Sequence, residues 1–304
     1  MLFDLHFYGK IFKNLFLRIK SLMKIIVTGA KGQLGYDVVL QLKKLGHTAI
    51  EADLPELDIT DFSAVEAFFE QHKPDGVIHC AAYTNVDGAE TEKEICEKIN
   101  FLGTKNIADC CKRHNSKLIY ISTDYVFDGK GTEPFETDAA TAPCNFYGKT
   151  KLMGENVVKE ICEKYFIVRI SWVFGGNGKN FVKTMLRLSK EKSELTVVCD
   201  QIGSPTYTPD LAALLCEMIE TEKYGIYHAT NESFCSWAEF AEKIMELSEA
   251  STKIIPVLSS EYKTVATRPS NSRMSKESLD NAGFKRLPSW QNALERFLLQ
   301  EHGK

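Results

Sequence analysis

From residue 24 to about residue 169, short β-branched runs alternate with longer segments whose apolar positions recur at helical spacing. The runs predict strands at 24–28, 48–52, 76–79, 117–121 and 166–169. The amphipathic segments predict helices at 33–45, 63–71, 90–114 and 145–164. Strands alternating with helices in this way form βαβ units, so the expected core is a doubly wound parallel sheet covered by helices on both faces. Ligands of such a sheet gather beyond the carboxyl ends of its strands.

After Trp172 the alternation weakens. Gly175, Gly176, Asn177 and Gly178 read as a loop, and helices near 180–192, 209–222, 237–247 and 290–300 are separated by Pro-containing loops. The expected division is a dinucleotide-binding domain at 23–170 followed by a smaller α/β substrate-binding cap at 171–304, some of whose segments return to the main sheet.

Residues 1–22 precede the first predicted strand and mix Phe and Leu with Lys and Arg. The apolar stretch is too short and too interrupted to span a bilayer. The preferred reading is a translation start placed upstream of Met23, so removing these residues is expected to leave activity unchanged. The alternative is a basic amphipathic helix for a membrane surface or a partner.

Composition adds limits. A chain of 304 residues with 44% hydrophobic and 26% charged residues can bury a sizeable core, which excludes a disordered or fibrous protein. A formal net charge of -4 offers no general attraction to nucleic acid or to an anionic membrane. The nine cysteines are scattered and lack paired C-x-x-C spacing, which suits reduced structural thiols of a cytoplasmic protein rather than a zinc site.

Between the first strand and the first helix lies Gly29-Ala30-Lys31-Gly32-Gln33-Leu34-Gly35. Glycines at this spacing allow a tight turn and let backbone approach a pyrophosphate, while the helix N-terminus supplies amide donors. Asp53 ends the second strand, where a carboxylate holds a ribose hydroxyl. Asp58 and Ile59 follow in a loop that can meet an adenine ring, with helix capping an equal reading for Asp58. Ala81, Ala82 and Tyr83, just past the third strand, let backbone lie against the cofactor. Gly29, Gly32, Gln33, Leu34, Gly35, Asp53, Asp58, Ile59, Ala81, Ala82 and Tyr83 thus form the candidate dinucleotide site. Asp53 favours a free 2′-hydroxyl and Lys31 favours a 2′-phosphate, which leaves both NADH and NADPH open.

Tyr147 and Lys151 stand four apart on a predicted helix and share one face. A phenol acting as an acid–base group benefits from a neighbouring ammonium that stabilises the phenolate, and the same lysine can hold the nicotinamide ribose. Thr123, at the end of the fourth strand, adds a hydroxyl for the reacting oxygen. The expected chemistry is hydride delivery to a carbonyl carbon with Tyr147 as proton donor.

These motifs resemble the extended short-chain dehydrogenase/reductases that act on nucleotide sugars, a Rossmann-type fold. The resemblance narrows on Ser122-Thr123-Asp124-Tyr125-Val126-Phe127-Asp128-Gly129, on 147–155, on Arg169 to Gly175, on Asp200 to Thr206 and on Arg268 to Ser272, which are similar to the dTDP-4-dehydrorhamnose reductase family. It runs from about Met23 to near Phe297. It implies a dTDP-sugar substrate whose 4-keto group is reduced for polysaccharide synthesis, with Thr84, Thr123, Asp124 and Trp172 at the sugar. It places Arg268 at the diphosphate, a loop arginine being nearly as good a reading. Some relatives dimerise through a carboxylate-bound Mg²⁺; a homodimer is compatible with the resemblance, and no required metal is expected. Two other readings stand beside it: a nucleotide-sugar epimerase or dehydratase that recycles NAD, and a non-catalytic regulatory subunit of the methionine adenosyltransferase type.

Overall fold

The computed structural model describes residues 22–302, so the expected N-terminal extension lies, apart from Leu22, outside the described residues. Six strands form the main sheet: β1 (Lys24–Thr28), β2 (Thr48–Ala52), β3 (Gly76–His79), β4 (Lys117–Thr123), β5 (Tyr165–Ile170) and β10 (Gly225–His228). Their order across the sheet is β10-β5-β4-β3-β1-β2, and every pairing is parallel. Both faces are covered, which is why the central strands read as continuous apolar runs. The order reverses between β1 and β3, and a crevice opens there.

One face of the sheet packs on α1 (Gln33–Lys44) through Val38, Val39 and Leu42. The other meets α2 (Phe62–His72), with the Asp61 side chain accepting from the Ser63 and Ala64 amides at its N-terminus. The predicted helix at 90–114 is instead broken into α3 (Lys93–Glu97), a π-helical stretch (Lys98–Gly103) and α4 (Thr104–Arg113). Asn100 explains the interruption. Its amide Nδ2 donates to the Tyr83 carbonyl and its Oδ1 accepts from the Tyr83 amide, while the Thr104 hydroxyl takes the Asn100 carbonyl. A one-residue bulge hardly disturbs apolar spacing, so periodicity does not reveal it. On the same face α5 (Phe146–Ile161) is capped by Asn145, whose Oδ1 accepts from the Gly148 amide at 2.8 Å.

Beyond β5 the chain forms β6 (Val173–Phe174), α6 (Phe181–Ser189), β7 (Glu194–Val198), β8 (Ile202–Gly203), β9 (Thr206–Tyr207) and α7 (Thr208–Ile219). After β10 come β11 (Asn231–Glu232), β12 (Cys235–Ser236), α8 (Trp237–Leu247), β13 (Lys253–Val257), α9 (Glu277–Asn281), β14 (Leu287–Ser289) and α10 (Trp290–His302). A second core forms around Phe174, Phe240 and Phe297 between α6, α8 and α10. Two elements of this half return to the main sheet: β10 extends its edge beside β5, and α7 fills the sheet face next to α1 with Leu211, Leu214, Leu215 and Met218. An apolar helix with so wide a buried surface must sit between other elements rather than on the outside.

Candidate active site

Beyond the carboxyl ends of β1, β2, β3 and β4 lies a cavity of about 1000 Å³. The glycine loop forms one end. Gly29 has φ +62° and lies so close to the segment after β3 that a Cβ would stand 2.8 Å from the Ala81 amide nitrogen. A Cβ on Gly35 would stand 2.1 Å from the Gly29 carbonyl oxygen. Gly35 therefore closes the turn onto α1 and does not itself line the cavity, whereas Gly29, Gly32, Gln33 and Leu34 do. The first turn of α1 begins at Gly32 with no side-chain cap, so its amides stand available to an anion. That feature and the close backbone approach fit the pyrophosphate of a dinucleotide.

Along the cavity lie Asp53, Asp58, Ile59, Ala81, Ala82 and Thr84. Asp58 also serves its own loop: Oδ1 accepts from the Thr60 amide at 2.9 Å and the Thr60 hydroxyl at 2.7 Å, and these bonds hold its carboxyl below the ordinary range. The helix cap itself is Asp61. Tyr83 departs from expectation, since its phenol donates to Glu92 at 2.6 Å and its side chain does not line the cavity. Arg268 also stays out of the lining. Its Nη2 pairs with Asp87 at 2.9 Å and its Nη1 lies 3.4 Å from the Tyr125 hydroxyl, because Asp87 offers a carboxylate on the facing loop.

Thr123, Asp124, Tyr147 and Lys151 line the cavity together. Thr123 ends β4 and donates to Asp124 Oδ1 at 2.9 Å, while no donor meets the buried Asp124 Oδ2 in good hydrogen-bond geometry, although the Ser272 hydroxyl lies by the carboxylate. Burial pushes the Asp124 carboxyl up to about 6, against the pull of the Ser272 and Thr123 hydroxyls. An acceptor left orphaned inside a polar cavity is suited to a ligand hydroxyl.

Burial also raises the Tyr147 phenol well above its ordinary range; the Asp124 charge adds to this and a hydrogen bond with Thr123 opposes it. The Tyr125 ring packs edge-on against Tyr147, with centroids 5.6 Å apart. Lys151 is 3% exposed and its Nζ stands over the Tyr120 ring, 4.2 Å from the centroid. Burial lowers its ammonium to about 7, against the Glu155 charge one turn along α5. Tyr147 and Lys151 thus line the same cavity one turn apart on α5, with the Lys151 ammonium over the Tyr120 ring.

Behind this group, the Ser122 hydroxyl donates to Glu155 Oε1 at 2.6 Å, and Arg169 Nε and Nη2 each donate to the Glu155 carboxylate at 2.8 Å. His79 bridges the Thr28 and Thr104 hydroxyls at 2.6 and 3.1 Å, and burial lowers its imidazole to about 3, so it stays neutral.

Trp172 closes the cap side. Its φ is +51°, a left-handed conformation that a bulky residue rarely adopts. Trp237 stacks on it with centroids 3.8 Å apart and planes 16° from parallel, and both line the cavity. A Cβ on Gly203 would stand 3.0 Å from the Trp172 ring, so Gly203 leaves the ring its place. Sequence reasoning finds Trp172 and misses Trp237, which begins α8 and reaches the site only because β12 pairs antiparallel with β8. It also misses Asn100, Glu155 and Arg169; the last two lie inside recognised motifs, but nothing local marks them as partners.

The RmlD substrate binding domain family matches residues 23–302 of the chain. The spore coat polysaccharide biosynthesis protein SpsK of Bacillus subtilis (strain 168) is 42% identical over 275 residues, covering 90% of this chain and 96% of that protein. A dTDP-4-dehydrorhamnose reductase of Escherichia coli (strain K12) is 38% identical over 291 residues, covering 91% and 97%. The structure of dTDP-4-dehydrorhamnose reductase from Bacillus anthracis in complex with NADP superposes with a TM-score of 0.90 at 44% identity, covering 92% of this chain and all of that one. The chain therefore belongs to the RmlD substrate binding domain family, beside these dTDP-4-dehydrorhamnose reductases.

Proposed function

We propose that this protein reduces the 4-keto group of dTDP-4-dehydro-β-L-rhamnose to give dTDP-L-rhamnose for polysaccharide biosynthesis, with NADPH or NADH as the reductant. The observation that carries the reading is the meeting of Thr123, Tyr147 and Lys151 in the same cavity as the glycine loop. The cofactor, when bound, supplies the hydride. Gly29, Gly32, Gln33 and Leu34 hold its pyrophosphate, Asp53 its adenine ribose, and Ala81 and Ala82 give its rings a flat backbone wall. Tyr147 donates its proton to the ketone oxygen, Thr123 hydrogen-bonds that oxygen, and Lys151 replaces the phenol proton. Asp124 Oδ2 accepts a sugar hydroxyl, and the Trp172–Trp237 stack gives the deoxysugar an apolar wall.

Arg268 reaches the substrate diphosphate only on leaving Asp87, so its part in binding depends on that ion pair opening. A cytoplasmic place belongs to this reading through the scattered, unpaired spacing of the nine cysteines in the sequence. A homodimer is compatible with the family resemblance, and light scattering measures it.

The test is to mix the protein with the keto-sugar and each reduced nicotinamide, follow cofactor absorbance, and identify the product. Stoichiometric cofactor oxidation with formation of dTDP-L-rhamnose is expected. An epimerised or dehydrated sugar with no net oxidation would overturn the reading in favour of a recycled NAD, and cofactor binding with no turnover of the sugar would favour a regulatory subunit.

A further inference from the structure

At the carboxyl end of β2 two residues make opposite demands on the 2′ position of an adenine ribose. Asp53 is fixed, because its Oδ2 accepts from the Lys31 amide at 3.0 Å and its Oδ1 from the Leu54 amide at 2.9 Å. Held in this way it accepts from a 2′-hydroxyl and repels a 2′-phosphate. Lys31 belongs to the glycine loop and its backbone is bonded to Asp53, but it does not itself line the cavity, so its ammonium must swing inward to meet a group at that position.

That ammonium is already engaged. Lys31 Nζ stands 3.1 and 3.3 Å from the two Glu56 carboxylate oxygens and 3.1 Å from the Leu54 carbonyl oxygen. The two side chains are 60% and 54% exposed, so water screens the pair and the lysine is free to swing away. Glu56 does not line the cavity, whereas Asp53 and Leu54 do. A 2′-hydroxyl leaves the Lys31–Glu56 pair intact. A 2′-phosphate draws Lys31 off Glu56, and the separation costs part of the gain.

We propose that Glu56 is a selectivity residue, tethering Lys31 and thereby weakening NADPH relative to NADH without touching either cofactor. The proposal rests on the nicotinamide-cofactor reading of the cavity and is independent of the sugar.

The test is calorimetric dissociation constants for NADPH and NADH, at low ionic strength and without sugar, on the wild type, Glu56→Gln, Lys31→Met and the double variant. An exposed pair of this kind sets the scale at about two- to five-fold. Glu56→Gln should tighten NADPH by that factor, leave NADH within about two-fold, and have no effect on NADPH when Lys31 is already Met. Equal tightening of NADPH in the Lys31→Met background would overturn the tether and leave only bulk repulsion. No selective change in the single variant would overturn it as well. Failure of the wild type to bind either nicotinamide would instead remove the underlying cofactor reading.

Discussion

Arg169 on β5 and Glu155 on α5 grip each other through two parallel hydrogen bonds of 2.8 Å, with 2% and 0% of their side chains exposed. The pair joins β5, which runs beside the strand that carries Thr123, to the helix that carries Tyr147 and Lys151. Further bonds hold the pair: the Arg169 Nη1 donates to the Thr137 carbonyl at 3.0 Å and lies 3.4 Å from His228 Nε2, and Ser122 donates to Glu155. Breaking one side of such a pair strands a buried charge, at a cost of about 3–5 kcal/mol. Glu155→Ala should lower stability in urea unfolding by roughly that amount, and replacing both partners by apolar residues should cost less. A single substitution costing under about 1 kcal/mol would mean the pair is not holding the two elements together.

Removing the Tyr147 hydroxyl separates binding from chemistry. Tyr147→Phe keeps the ring that packs on Tyr125 and takes away the proton donor, so turnover should fall by about 10²- to 10⁴-fold. The nicotinamide dissociation constant should change little. Full activity in this variant would sink the assignment of Tyr147.

In the cofactor-free protein Lys151 should lose its proton near pH 7, far below an ordinary lysine. The folded value lies below the unfolded one of about 10.4, so the stability it contributes is present in full above that pH and is lost as pH falls through about 7. Asp124, raised to about 6, has the opposite sign: its contribution is full below about 3.9 and lost as pH rises through about 6. A ¹³C NMR titration of labelled lysine side chains checks the first statement, with Lys151→Arg identifying the resonance. Titration of the resonance assigned to Lys151 above about pH 9 would contradict it.

Gly35→Ala should damage the cofactor end without touching it. The added carbon would lie 2.1 Å from the Gly29 carbonyl oxygen, so α1 must shift away from the loop. Strain of this kind costs typically about 1–3 kcal/mol in stability. Nicotinamide affinity should fall with it; unchanged affinity and melting temperature would show that the turn has slack.

Trp237→Ala removes the partner that lies flat against Trp172. Such a ring pair contributes about 0.5–1.5 kcal/mol beyond its buried area, so KM for the keto-sugar should rise by up to about ten-fold with a smaller change in kcat. Steady-state kinetics at saturating cofactor decide this. An unaltered KM would place the sugar away from the stack.

The first five strands of the main sheet and the helices at 33–45, 63–71 and 145–164 were legible because their signals are local. Parallel strands covered on both faces are apolar throughout, and glycines before a helix mark a phosphate turn. Tyr147 and Lys151 were legible as a pair because four residues bring side chains to one helix face. By itself, therefore, the sequence determined the first five strands of the sheet and the helices beside them, together with the chemistry to be expected there. Tertiary structure alone decided that Trp237 backs Trp172, that Arg268 turns to Asp87, that Glu155 and Arg169 meet behind Thr123, and that α7 and β10 return to the main sheet. These relations join residues far apart in the chain, where no period or spacing records a partner. They arise because burial demands a counter-charge, a stacked ring or an apolar neighbour, and only the folded chain brings one near.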